Sequence, residues 1–186
     1  MEPVYIDKHY HIVADCRQGS KKACYELYRL YAKAMLNVAF RIVGNMGEAE
    51  DVLQEAFLDA FSRIKDFRQE TTFGLWLKQI VVHRAIGLLR KRKMLWAEPE
   101  EGELENIADD EPENLEEVLY QVELVKSTMK ELPEGYRVII SLYLLEGYDH
   151  EEIGQILHIT ENTSRTQFLR AKRKLSELLK QKGLRA

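Results

Sequence analysis

The sequence predicts an all-α protein: two small helical domains joined by an acidic flexible linker, the second domain carrying a helix-turn-helix. Three observations carry this. Apolar residues recur at helical spacing almost throughout, and no run of alternating β-branched residues bounded by turns occurs. The pattern stops over residues 94–114, which hold Pro99, Pro112 and nine carboxylates but no basic side chain. Near the C-terminus a short amphipathic segment, a tight turn and a long basic segment follow at helix-turn-helix spacing. The expected boundaries are 1–93, 94–114 and 115–186.

The first helix is expected over about 5–17, ending near Gly19. The second spans 21–43, with Leu27, Leu30, Ala34, Val38 and Ile42 on or near one side and Gly44-Asn45 as C-cap. The third runs over 47–64. Its core stripe is Ala49, Val52, Leu53, Ala56, Phe57, Ala60 and Ile64, and its other face is Asp51, Gln54, Glu55, Leu58 and Ser62. The fourth starts near Thr72 and ends in Arg90-Lys91-Arg92-Lys93. It turns Phe73, Leu77, Ile80, Val81 and Leu88 inward and Gln79, His83, Ile86 and Arg90 outward. Arg84 falls on the core side, where it must snorkel or pair.

Helices resume over 115–131. Pro133 stands where a first-turn proline belongs and opens a helix to Leu145, which Gly147 stops. Asp149 caps the next helix, with Glu152 as its capping-box partner. Ile153, Ile156 and Leu157 form its buried side, and Ile159 plugs the turn. Thr160 caps a last helix reaching about Gln181. Ser164, Phe168, Ala171, Leu175 and Leu179 face its core, while Thr163, Thr166, Gln167, Arg170, Arg173 and Lys174 face out.

The 186 residues carry 27 Lys+Arg and 31 Asp+Glu, a formal net charge of −4 that by itself argues against nucleic acid. The distribution reverses this. Residues 1–93 are net +5, 94–114 net −9, 115–157 net −6 and 158–186 net +6. The longest apolar stretch, 138–145, is too short for a membrane span, and no basic-then-apolar leader opens the chain. Cys16 and Cys24 make no disulfide framework; as free thiols they read as small buried hydrophobes. A soluble protein of a reducing cytoplasm is expected, without membrane insertion.

No nucleophile elbow or P-loop appears, so no enzyme is expected. No cofactor or metal is expected either. Glu48, Asp51, Glu55 and Asp59 lack the histidine three residues on that di-metal bundles use. His9, His11, Cys16 and Cys24 lack a finger's spacing. Two surfaces remain open on the residues alone. The outer face of the third helix is either solvated, with one stray leucine, or a docking surface. Gln79, His83 and the run 90–93 are either a solvated helix end or a phosphate-contacting surface. The net +6 tail favours DNA for the last helix, whose first residues would meet base edges.

In this order, the segments resemble a bacterial sigma factor of the extracytoplasmic-function group. GEAEDVLQEAFLDAF, residues 47–61, resembles the family's helix that docks on the clamp helices of the RNA polymerase largest subunit. FGLWLKQIVVHRAIGLLRKRK, residues 73–93, is similar to the helix that meets the −10 element. Residues 132–145 resemble the opening of the family's second domain, and 151–174 its −35-reading helix-turn-helix.

The resemblance implies core RNA polymerase as partner, through clamp helices and flap, with docking residues Asp51, Gln54, Glu55 and Leu58. It implies −10 contacts from Gln79, His83, Arg90, Lys91 and Arg92, and a loop, 66–72, that captures a flipped single-stranded base. It implies duplex −35 contacts from Thr163, Arg165, Thr166, Gln167, Arg170, Arg173 and Lys174, and an anti-sigma partner. The chain departs from the family at His83 and Gly87, where Asn and Asp are frequent, and at His158, where Gly is. Thr163-Ser164-Arg165-Thr166 replaces a common Thr-Val-Lys-Ser. Two rivals stay open: a stand-alone helix-turn-helix regulator with a helical sensing domain, and a carboxylate-metal enzyme.

Overall fold

The structure is a computed structural model describing residues 7–92 and 115–183, the side chains of 115–121 excepted. The predicted acidic linker, 94–114, and Lys93 of the basic run lie outside the described residues. The described residues form eight α-helices and no strand. They divide into two compact units, Met1–Arg92 and Lys93–Ala186.

In the first unit α1 (Tyr10–Arg17) leads by a tight turn at Gly19 into α2 (Lys21–Val43), capped by the Ser20 side chain. The first helix begins five residues later than predicted among the described residues. The preceding turn is held by Asp7, whose carboxylate accepts from the His9 amide at 2.9 Å. Gly44 ends α2 in the left-handed conformation, φ 77°. The buried residues of α2 are Ala23, Leu27, Met35, Val38, Ala39, Ile42 and Val43, and the predicted Leu30 and Ala34 are exposed.

Asn45 caps α3 (Met46–Ser62) and accepts from the Glu48 amide at 3.1 Å. All seven predicted core residues of that segment are buried, Ile64 in a short 3₁₀ turn that follows (Ile64–Asp66). Loop 67–72 then leads to α4 (Phe73–Lys91), capped by Thr72. Helix α4 packs on α2 and on α3 at once. Its buried arc therefore covers about half the helix circumference rather than a single stripe. Phe73, Leu77, Val81, Val82, Ala85, Ile86 and Leu89 are buried. Ile86, predicted outward, is thus a core residue, whereas Ile80 and Leu88 are only half-buried.

Cys16 and Cys24 are joined, contrary to the expectation of free thiols: they form a disulfide with a Cα–Cα distance of 5.2 Å. The turn at 18–20 folds α1 back on α2 and brings the end of one helix beside the start of the next.

The second unit comprises α5 (Leu115–Met129), α6 (Glu134–Ile140), α7 (His150–Leu157) and α8 (Glu161–Gln181). Pro133 occupies the cap position of α6, one residue before the predicted place. Residues Ser141–Leu145 continue α6 as one turn of π-helix, closed by Glu146 N donating to the Ser141 carbonyl at 3.0 Å. Gly147 stops it at φ 79°. The capping box Asp149–Glu152 opens α7 as predicted, and Thr160 caps α8.

Candidate nucleic-acid and protein interfaces

The outer face of α3 is built by exclusion. Its core stripe faces α2 and α4, so Asp51, Gln54, Glu55 and Leu58 all point to solvent. Leu58 is 70% exposed, the most open of the large apolar side chains among the described residues. Burying such a leucine against a partner contributes ~2 kcal/mol. Glu55 also receives Arg84 of α4, whose Nη1 donates to Glu55 Oε2 at 3.1 Å and whose Nε donates to Asp59 Oδ2 at 2.5 Å. Of the two expectations for Arg84, snorkelling or pairing, the structure shows pairing. Arg84 lies across the α3–α4 seam with its charge paired and exposed, so its net contribution to stability is under about 1 kcal/mol.

Along that seam a groove of 540 Å³ is lined by Asp59, Arg63, Trp76, Gln79, Ile80, His83 and Arg84. It contains two of the predicted −10 residues, Gln79 and His83. His83 Nδ1 lies 2.7 Å from the Gln79 carbonyl. A carbonyl only accepts, so Nδ1 carries the proton and Nε2 is the ring nitrogen turned away from the helix backbone. Arg90 and Lys91 are exposed at the end of α4. Arg92 is engaged: its Nη1 donates to Glu48 Oε1 of α3 at 2.6 Å. Sequence reasoning missed Trp76, Asp59 and Arg63 as neighbours of this surface. The available signal was Asp59, one turn beyond Glu55 on the edge of α3 that faces Arg84.

The start of α4 carries a second cluster. Asp7 Oδ2 accepts from the Phe73 amide at 2.7 Å, placing a carboxylate at a helix N-terminus. Tyr31 of α2 packs edge-on against Phe73 and shares a 2.7 Å hydrogen bond with His9. Burial, assisted by the charge of Asp7, pushes the Tyr31 phenol up to about 12. In the adjoining loop Gln69 sits at φ 61°, with Arg68 and Glu70 exposed beside it.

In the second unit the turn between α7 and α8 is tight. Gly154 lies so close to the turn that a Cβ would stand 2.9 Å from the Ile159 carbonyl oxygen. His158 holds the left-handed C-cap, φ 57°, that glycine usually takes. His150 of α7 is buried; its Nδ1 lies 3.0 Å from Ser164 Oγ of α8, and its ring stacks on Tyr143 at 4.5 Å. Burial, and then the charge of Arg165, holds the His150 pKa below its ordinary value.

This joint fixes the outward face of α8. Thr163, Arg165 and Arg173 are exposed; Thr166, Gln167, Arg170 and Lys174 are half-buried. Arg165 donates to Glu161 at 2.5 Å, and Arg173 to Glu177 at 3.3 Å. Thr166 donates to the Asn162 carbonyl at 2.9 Å. Gln167 Oε1 has no hydrogen-bond partner among the described residues. Glu48, Glu55 and Asp59 of the four-carboxylate set are tied to arginines. Among the described residues no group of three or more His, Cys, Asp or Glu side chains could hold a metal, and no helix is long and apolar enough to cross a membrane.

Known proteins resemble the chain in both units. Residues 27–94 match the family model for sigma-70 region 2, and residues 123–175 that for sigma-70 region 4. The chain is 31% identical over 172 residues to the ECF RNA polymerase sigma-E factor of Escherichia coli, covering 87% of this chain and 88% of that one. It is 28% identical over 177 residues to the ECF sigma factor SigW of Bacillus subtilis, covering 90% and 95%. Among solved structures it is similar in fold to RpoE bound to the anti-sigma factor NepR from Bartonella quintana, with TM-score 0.54 and 20% identity over 84% of this chain and 96% of that one. It is also similar to CnrH bound to the cytosolic domain of CnrY, with TM-score 0.53 and 22% identity over 91% and 95%. With both regions in order and that identity across most of its length, the chain belongs to the extracytoplasmic-function group of sigma-70 factors, non-enzymatic proteins that bind core RNA polymerase and direct it to promoters.

Proposed function

We propose that the division of labour follows the two units. The outer face of α3 docks on the polymerase clamp helices through Asp51, Gln54, Glu55 and Leu58. Loop 66–72 and the exposed side of α4, with Gln79, His83, Arg90, Lys91 and Arg92, open and hold the −10 element. Helix α8 enters the −35 major groove with Thr163, Arg165, Thr166, Gln167 and Arg170, while Arg173 and Lys174 meet phosphates. Residues 1–93 form the first domain, 94–114 a linker and 115–186 the second domain, whose apolar surface receives the flap. The chain works in the cytoplasm beside its polymerase, and an anti-sigma protein covers these surfaces when initiation is off.

The observation that carries this reading is Leu58. An open leucine in the middle of a polar, partly acidic helix face is costly to leave in water and is satisfied by a partner. Arg170 supports the second half: no ion-pair partner is seen for it among the described residues, while Arg165 and Arg173 are paired. Promoter opening reads out the loop. Holoenzyme with Arg68→Ala and Gln69→Ala should bind a closed promoter but open it slowly, followed by 2-aminopurine fluorescence in the −10 element. Opening at the parental rate would remove the loop from the mechanism.

A further inference from the structure

Helix α1 and the turn that leads into it grip the loop 67–72 at both of its ends. At one end Arg17 Nη2 donates to the Lys65 carbonyl in the 3₁₀ turn at 3.1 Å. At the other Asp7 accepts the first amide of α4, Phe73 N, at 2.7 Å. That second anchor is deepened by the His9–Tyr31 bond and by the Tyr31 ring, whose edge lies 2.7 Å from where a Cβ on Gly74 would stand. Between the anchors Gln69 holds a left-handed conformation, φ 61°. A non-glycine residue keeps such a backbone only where its surroundings over-determine it. The helix that provides the grip is itself stapled. Cys16, buried in its last turn, is bonded to half-buried Cys24 in the first turn of α2.

We propose that α1 is a brace for the −10 loop, with Asp7 and Arg17 as its positioning residues, and that thiol–disulfide exchange at Cys16 and Cys24 sets how firmly it holds. The proposal rests on the reading of loop 66–72 as the promoter-opening element. The oxidant is a low-molecular-weight disulfide. One cysteine thiolate attacks it and forms a mixed disulfide, releasing one small thiol; the second thiolate displaces the other. Two electrons pass to the small disulfide, and the two protons given up by the cysteines end on the two small thiols. With the staple closed, α1 stays on α2 and both anchors hold the loop in its strained, pre-formed shape. With the staple open, α1 keeps its apolar packing through Val13, but its two ends leave the loop for part of the time.

The test uses holoenzyme assembled with the full chain, pre-equilibrated with oxidised or with reduced glutathione. Opening is followed by 2-aminopurine in the −10 element, on closed duplex and on a template already melted there. The oxidised chain should open the closed duplex several-fold faster than the reduced chain, with the difference gone on the melted template. The double variant Cys16→Ser, Cys24→Ser should open at the reduced rate under both conditions. Asp7→Ala and Arg17→Ala should slow opening even when oxidised, while Asp7→Asn, which keeps an acceptor oxygen, should restore it. Equal rates for the two redox states, a redox response that survives in the double cysteine variant, or a difference as large on the melted template would each overturn the brace. If the Arg68→Ala, Gln69→Ala loop variant opens at the parental rate, the reading of the loop fails. If that variant is slow and the parent is indifferent to redox state, only the brace fails.

Discussion

The two units hold their helices together by different means. The first buries an apolar centre of Leu27, Ile42, Phe73, Leu77, Val81 and Leu89 and keeps its ion pairs at the surface, with Arg84 on Glu55 and Asp59 and Arg92 on Glu48. The second builds polar groups into its central joint. Buried His150 meets buried Ser164 there, under the Tyr143 ring, and a Cβ on Gly154 would stand 2.9 Å from the Ile159 carbonyl oxygen. In the first unit, the proposed docking face is one that the core does not use, so docking and stability should separate by mutation. In the second, the proposed reading helix and its turn share one joint, so changes there should reach both stability and recognition.

The largest expected effect tests that separation. Asp51→Arg with Leu58→Asp should weaken binding to core polymerase by about 2–4 kcal/mol, the range of interface hot spots. The thermal melt of the chain should not move, because neither side chain is buried. A parallel loss of melting temperature would tie the docking face to the core after all. Gly154→Val should come next, costing about 2–3 kcal/mol of stability in the second unit alone, since its methyls are forced against backbone that cannot swing aside. Denaturant unfolding followed at the two units separately would check this, and a neutral result would mean that the turn relaxes.

Arg170→Ala should cost about 1–3 kcal/mol in −35-dependent initiation if its guanidinium reads a base. The loss should vanish on a promoter changed at that base; an equal loss on every promoter would mark a phosphate contact instead. The smallest effect is one of pH. The folded pKa of His150 is depressed by burial and by Arg165, so the unfolded chain binds the extra proton first. The associated stability is present above the unfolded value of 6.5 and is lost as the pH falls below it through the folded value. The second unit should therefore melt earlier in mild acid than at neutral pH. Glu161 and Asp149 oppose the shift, so it should be modest, and it should disappear in His150→Phe.

Much of the fold was legible in local chemistry. The capping box at Asp149 and Glu152, the Thr160 cap and the left-handed Gly44 and Gly147 each set a helix boundary through bonds within a few residues. The core stripe of α3 was legible because it forms one arc against its neighbours. Ile86 was misplaced because α4 is covered from two sides, which periodicity on a single helix does not reveal. The partners of Arg84 and the closure of Cys16 on Cys24 depend on how helices fold back on one another, and spacing alone does not carry that. The π-helical turn at Ser141–Leu145 has no sequence signal that we can name. The exposed face of α3 was recognisable by pattern, but the pairing of its Glu55 with Arg84 emerged only from packing.

Run-off transcription tests the account most directly. Purified core RNA polymerase would be given promoter fragments with no added factor, with the chain, or with its Asp51→Arg, Leu58→Asp variant. Discrete transcripts from defined start sites should appear only with the unaltered chain, and they should weaken when the −35 sequence is scrambled. Absence of any chain-dependent start, together with tight binding of the free chain to a symmetric duplex site, would contradict it and identify a stand-alone regulator instead.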